Sequence, residues 1–421
     1  MLVRNKTLNQ YLMEQCCGFR CGVVLPFQRL PANFCDISNA YNYSVPADSN
    51  GTWQTASGSM NFNENNAIMG AVGEALERYS AAACDFETWP YSKLPEDKIV
   101  GYDEFSLFSD EQYESPGFFW AKPSKADQRF GKVYSLYDNE ERYAPQELIG
   151  LGSRSEGPCI PSTSTGVAAH TTETEAAFSA LLELLERDAL ATWWLHSIGG
   201  REIPLEAKYT DEVKAKSGQV FCFDITQDWN PFPVAVVCGH LPSRGKLRIS
   251  MGSACRESYG KAVEKAYAEW LQGCIFAEYY DEHHSNLKLD SPSDATSFDL
   301  HAVYYTKHPE QWGDVPLLKN RKPCGFNGEK SNLAKESTPE KLAFLLKALK
   351  KESIRVFYKD LTTVDVRSVG VSVIRVMSPE LSPIHGDENM PFLGGRTKDA
   401  KWRYNGLECG VFPNPYPHPL G

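Results

Sequence analysis

The pattern Glu-x-Leu-Glu-Arg occurs twice, as Glu74-Ala-Leu-Glu77-Arg78 and as Glu183-Leu-Leu-Glu186-Arg187. Both copies sit in segments whose apolar residues predict buried helices, about 66–84 and from Thr172 to beyond Leu190. Residues three apart lie on one helical face. Each segment therefore directs two carboxylates the same way from apolar surroundings. Like charges there are costly unless a cation or a proton compensates them. Glu74, Glu77, Glu183 and Glu186 are the expected metal ligands. Hard oxygen ligands suit Mg2+, which usually arrives with substrate phosphates. The plainer reading of one such pair is a salt bridge with Arg78 or Arg187, or a solvated face; two copies within apolar helices favour metal.

The remaining chain reads as a mixed α/β protein of helices and short strands without steady alternation. No Gly-x-Gly-x-x-Gly or Gly-x4-Gly-Lys-Ser/Thr is present. Thr172-x-x-Glu175 fits a capping box. A third helix is expected over about Ser258–Tyr280, and an amphipathic one over about 339–353. Strands are expected at 220–224, 232–238, 356–360 and 369–376. Residues 161–170 (Pro-Ser-Thr-Ser-Thr-Gly-Val-Ala-Ala-His) read as a hydroxyl-rich loop before a helix N-terminus, where free N–H groups favour anions. Residues 86–160 read as aromatic and loop-rich, and the Pro-containing stretch 284–335 as an insertion or surface lobe.

The net charge is −11 with no basic block, which argues against a nucleic-acid partner. No apolar run is long enough to span a bilayer, and the N-terminus lacks a signal-peptide stretch, so a cytoplasmic protein is expected. The 12 cysteines are irregularly spaced; Cys16, Cys17 and Cys21 lack the second ligand pair of a zinc site.

Taken together, these residues resemble the YcaO family, in particular its azoline-forming members, the cyclodehydratase subunits of microcin-type azole synthetases. The strongest match is Ser164-Thr-Gly-Val-Ala-Ala-His170 running into Glu175-Ala and then Ala180-Leu-Leu-Glu183-Leu-Leu-Glu186-Arg187-Asp188. Gly70-x3-Glu74-x2-Glu77-Arg78 is similar to the first nucleotide-site motif, and Lys265-Ala-Tyr-Ala-Glu269-Trp-Leu-Gln272 to the third. Asp360-Leu-Thr362, Ser378-Pro-Glu-Leu381, Leu393-Gly-Gly-Arg396 and the Pro-x-Pro tail 413–421 resemble the C-terminal region. Three positions depart from the family pattern. Gly70 stands where Ser is usual. Ser57-Gly-Ser59 occupies a stretch that commonly holds Lys between glycines. Cys274 stands where Arg often follows the Gln.

The resemblance implies a YcaO-type fold of mixed sheets and long helices around a buried ATP site, spanning 56–421, with residues 1–55 packing on that core or on a partner. It implies ATP and Mg2+ as cofactors, and phosphorylation of a peptide-bond oxygen after attack by a Cys, Ser or Thr side chain, giving a thiazoline or oxazoline. Nucleotide contacts are expected from Glu74, Glu77, Arg78, Ser164, Glu175, Glu183, Glu186, Arg187, Glu269, Gln272 and Arg396. Glu175 is otherwise only a cap, and Glu269/Gln272 a polar surface pair. His170 is a candidate general base, although a lone His is more often structural. The tail is stiff and extended; the resemblance makes it a pointer bringing Pro419 and Gly421 to the active site, and the plain alternatives are a disordered end or a ligand for a Pro-binding domain. Expected partners are a ribosomal precursor peptide, a separate E1-like leader-binding protein and an FMN-dependent azoline dehydrogenase, with no nucleic acid and no membrane. Peptide thioamidation or amidine formation, and a non-catalytic scaffold, remain as alternatives.

Overall fold

The computed structural model describes residues 14–18, 22–30, 37, 40–47, 56–152, 161–284, 286–324, 333 and 335–420. Thr172 starts the second acidic helix, Glu173–Leu195, as its sequence requires. Its Oγ1 accepts the Glu175 N–H at 3.2 Å, satisfying a donor that the first turn leaves free. Almost every side of this helix is buried, so structure must cover it all round. It packs on β14 (Ser372–Met377) and β7 (Val167–His170) of one sheet and on β11 (Lys246–Cys255) of another.

The first of these sheets has six strands. β4 (Thr88–Pro90), β5 (Arg129–Ser135), β13 (Phe357–Asp360), β14 and β7 follow in that order, and β6 (Glu141–Pro145) pairs with β5. The second runs β11, β10 (Val234–Ser243), β9 (Gln219–Asp224), β8 (Arg201–Ile203), β12 (Lys322–Pro323), with only β8–β12 parallel. A small antiparallel sheet joins β1 (Gln28–Arg29), β2 (Tyr41–Val45) and β3 (Ser57–Asn61). The first acidic helix, Glu64–Ala83, packs on β2, β3 and β7. The third long helix, Tyr259–His283, packs on β11, β10 and β3. Neighbouring elements thus draw the three helices around one space.

Several expectations are corrected. Residues 284–324 are not a surface lobe. The helix Phe298–Lys307 buries His301 to Thr306, and Tyr304, Tyr305, Trp312, Leu317 and Leu318 join the main core. Aromatic bulk outweighs the polar composition there. Residues 86–152 contain β5 and β6, with Phe130 and Val133 fully buried. The stretch before the central helix ends in strand β7, so the hydroxyl loop does not abut a helix N-terminus. Strand β11 was not foreseen. No helix among the described residues is long and apolar enough to cross a membrane.

One ion pair locks these layers. Asp188 and Arg403 are both fully inaccessible, with Nη2 2.6 Å from Oδ1 and Nε 2.9 Å from Oδ2. Asp188 also accepts from Ser382 N–H at 2.8 Å and Gln227 Nε2 at 3.0 Å. Arg403 donates to the Arg396 carbonyl at 2.6 Å. Removing one partner of such a pair strands the other charge. Asp188→Ala is predicted to lower stability by about 3–5 kcal/mol, read as a lower urea midpoint.

Candidate functional site

A cavity of about 1980 Å³ opens where the three long helices approach one another. The first acidic helix contributes Glu74, Glu77 and Arg78. The central helix contributes Glu175, Glu183, Glu186 and Arg187. The third long helix contributes Lys265, Glu269 and Gln272. Ser164 and His170 line it from the hydroxyl loop and the end of β7. The structure thus brings together every sequence-nominated nucleotide residue except Arg396. Arg396 is not among the lining residues; its guanidinium lies 4.4 Å from the Trp402 ring centroid, stacked on the aromatic face. Of the tail, Leu420 reaches the cavity, and the Pro419 carbonyl accepts the Met251 N–H at 3.2 Å. The tail is therefore not a loose end. Its Pro417 carbonyl also accepts from Tyr305 Oη at 2.7 Å, and its Tyr416 carbonyl from Trp194 Nε1 at 2.7 Å. Gly421 and Cys21 lie outside the described residues.

The acidic side chains are held by fixed donors. Glu74 Oε2 accepts the Gly58 N–H at 3.1 Å, and its Oε1 lies 3.3 Å from Arg78 Nη2. Glu77 Oε1 accepts the Ala169 N–H at 2.8 Å. Glu186 accepts from Ser253 Oγ at 2.8 Å and Cys255 N–H at 3.1 Å. Glu269 accepts from Ser253 N–H at 3.3 Å and pairs with Lys265 Nζ at 3.0 Å. Glu175 Oε2 accepts from Thr171 Oγ1 at 3.1 Å and Thr172 Oγ1 at 2.9 Å, and lies 2.8 Å from His170 Nδ1. The Thr171 N–H also lies 2.9 Å from that nitrogen.

Burial dominates the electrostatics. It pushes Glu77 up to about 8, with Glu183 and Glu74 adding to the rise and the Ala169 N–H opposing it. It raises Glu183 to about 7, against the pull of Arg187 and Arg78. Glu186 is raised by burial. Glu269 is lowered overall, because Lys265 and Arg187 outweigh its desolvation. Burial thus raises the proton affinity of Glu77, Glu183 and Glu186, and a cation would compete with those protons. The acidic lining is all oxygen, which fits Mg2+ rather than a softer metal. Among the described residues no three of the glutamates bring oxygens mutually within 4.8 Å. The four therefore do not clasp one ion by themselves, and water or phosphate oxygens fit the remaining positions of a Mg2+ shell. Arg187 Nη1 is buried without a hydrogen-bond partner, as a donor reserved for an anion would be.

Sequence reasoning missed Arg375 and Arg256. Arg375 lies in β14, donates Nη1 to the Thr163 carbonyl at 2.8 Å, and so fixes the hydroxyl loop. Burial lowers it to about 10, against the pull of Glu183. A lone Arg in Val-Ser-Val-Ile-Arg-Val was the available signal. Arg256 lines the cavity just after β11. The departures from the family pattern have local causes. A Cβ on Gly70 would stand 2.2 Å from Ser59 Oγ. Cys274 is buried in the core, its Sγ 3.3 Å from the Arg248 carbonyl.

The family model described as YcaO cyclodehydratase, ATP- and Mg2+-binding, matches residues 61–382. A solved heterocyclase in complex with substrate and cofactor superposes with TM-score 0.77 at 19% identity, over 99% of this chain. The chain spans only 58% of that protein's length. The YcaO protein of Methanopyrus kandleri bound with AMPPCP and Mg2+ gives 0.61 at 17% identity, over 88% of this chain and 89% of that one. The microcin synthetase McbBCD complex of E. coli gives 0.62 at 17% identity, over 86% and 90%. At these identities the structural likenesses establish the fold.

The raised carboxyls set a sign for pH dependence. Glu77 and Glu183 bind protons in the folded state up to about 8 and about 7, but in the unfolded chain only up to an ordinary value near 4.5. Cation-free stability is therefore predicted to fall as pH rises from about 5 to about 8. Mg2+ should offset that fall. Without Mg2+, Glu77→Gln should raise the Tm most at pH 8.5, less at pH 6, and hardly at all near the ordinary carboxyl value, read by thermal melts.

Proposed function

The chain belongs to the YcaO family of cyclodehydratases, and on that premise we propose that it converts Cys, Ser or Thr of a ribosomal precursor peptide into thiazoline or oxazoline at the expense of ATP. The observation that carries this reading is the convergence of Glu74, Glu77, Glu183 and Glu186, from two apolar helices, on one cavity whose acidic lining is entirely oxygen. Glu74 and Glu77 would hold metal from one wall, and Glu183 and Glu186 from the other. Arg187, with its unsatisfied Nη1, and Arg78 suit phosphate oxygens. ATP with Mg2+ supplies the phosphoryl group that makes a peptide oxygen a leaving group, and the metal neutralises the charge that builds there.

The chain's own residues orient the reaction. A side-chain thiol or hydroxyl attacks the preceding peptide carbonyl carbon and loses its proton. The attack closes the ring through a new S–C or O–C bond; the former carbonyl oxygen takes the phosphoryl group of ATP and departs as phosphate, the nitrogen loses its hydrogen, and a C=N bond forms within the ring. The net change in the peptide is loss of one water. His170 lines the cavity with Nδ1 2.8 Å from Glu175; with its hydrogen on Nδ1 turned to that carboxylate, Nε2 is left to take the first proton. Arg375 keeps the hydroxyl loop in place through the Thr163 carbonyl. The cavity is also lined by Phe276, Tyr279, Phe298, Met390 and Phe392. Apolar and aromatic surface of this kind suits peptide side chains. Pro419 anchors the tail so that Leu420 shapes that end.

The McbBCD neighbour is a multi-subunit complex, also solved with a bound precursor named pro-MccB17. That supports a precursor peptide and partner subunits for this chain, proposed as an E1-like leader-binding protein and an FMN-dependent azoline dehydrogenase. The experiment is intact-mass analysis of peptide incubated with the chain, its partner, ATP and Mg2+. Loss of one water per ring is expected; exchange of oxygen for sulfur would indicate thioamidation instead. Glu183→Gln should lower kcat by at least about 100-fold. Unaltered modification by that variant would assign the chain a scaffold role.

A further inference from the structure

Three histidines and a glutamate lie together outside the proposed nucleotide site, and nothing in the chemistry above uses them. His301 comes from the helix Phe298–Lys307, His385 and Glu388 from the loop after β14, and His418 from the tail. His301 and His418 are inaccessible and His385 nearly so. The His301 and His418 rings are 4.1 Å apart by centroid, and the His385 ring is 5.2 Å from His418. His301, Glu388 and His418 each offer a ligand atom, all within 4.8 Å of one another. They form the only such group of three among the described residues.

The hydrogen bonds fix which nitrogens carry protons. His301 Nδ1 lies 3.0 Å from the His418 carbonyl, and His418 Nε2 lies 2.8 Å from the His385 carbonyl. A carbonyl only accepts, so both of these nitrogens are N–H donors. His385 Nε2 faces the Glu388 carboxylate at 3.4 Å and donates likewise. The other nitrogens, His301 Nε2, His385 Nδ1 and His418 Nδ1, are then bare lone pairs. All three are buried with no hydrogen-bond partner. Burial lowers His301 to about 4 and holds His418 well below the usual imidazole value. Buried imidazole acceptors beside a carboxylate, each oriented through its second nitrogen by a carbonyl or carboxylate, form the outer-shell pattern of a metal site.

We propose that His301, Glu388 and His418, with His385 beside them, form a binding site for a borderline transition-metal cation, Zn2+ in the first instance, distinct from the oxygen-lined Mg2+ site. Imidazole and carboxylate together suit Zn2+, whereas all-oxygen shells suit Mg2+. Bonds of about 2.0–2.1 Å bring tetrahedral ligand atoms to about 3.4 Å apart. The ligand atoms, all within 4.8 Å of one another, close to that separation when a cation binds. The metal ties the tail to the helix and the loop two residues before Leu420, which lines the peptide end of the cavity. Ile384 and Gly386, which flank His385, also line it.

The test uses the full chain, stripped with chelator and free of nucleotide, titrated with Zn2+ and separately with Co2+. The proposal expects one equivalent more in the parent than in His301→Gln. It expects Co2+ to give visible d–d bands without the thiolate charge-transfer band that a cysteine site produces. Circular dichroism checks that the variant is folded. Glu388→Gln, on a loop, repeats the comparison with the histidines intact and should weaken binding at least tenfold. Equal uptake by parent and both variants, or Co2+ binding only with the thiolate band, overturns the proposal.

Discussion

Everything about this molecule follows from placing carboxylates where water cannot fully solvate them. The central helix is apolar on nearly all sides, so Glu183 and Glu186 have no solvated face to turn to. The fold answers by bringing the first acidic helix against β7, where the Ala169 N–H holds Glu77, and by bringing β11 under Glu186. Arginines from three elements, Arg78, Arg187 and Arg375, surround the acids without neutralising each one. What remains is a set of carboxyls with elevated proton affinity around an open volume. Such a set is poised for a divalent cation, because exchanging protons for metal relieves the same repulsion that burial creates.

The long helices were legible in the sequence because their signals are local. Thr172 supplies the cap through the Glu175 N–H, without the reciprocal bond of a full capping box, and apolar periodicity marks Glu64–Ala83 and Tyr259–His283 to within a few residues. The convergence of the two acidic pairs was legible only as an argument about charge, and as a resemblance. What the sequence concealed was set by distant partners. β7 is four residues long, and only its pairing with β14 makes it a strand. Asp188 read as one residue of a signature, yet its partner Arg403 is 215 positions away. The segment 284–324 was misjudged because Pro and polar residues outnumber the tyrosines and tryptophan that bury it.

Arg396 shows the limit of carrying a motif over by order alone. The Leu393-Gly-Gly-Arg396 stretch is present, but its Arg stacks on Trp402, and its carbonyl serves the buried Arg403. In this chain the segment holds the core. Arg256 and Lys265 are cations that do line the cavity wall beside Glu269.

The close approach of Gly70 to Ser59 bears on how such a site drifts over evolutionary time. There is room for one side chain at that contact, and in this chain the strand supplies it rather than the helix. The family pattern, with Ser on the helix and a glycine-flanked Lys on the strand, is the reverse arrangement. A serine placed at 70 alone collides with Ser59, and a glycine placed at 59 alone leaves that contact empty. The two positions share one volume, so the residue that fits at either depends on what the other carries.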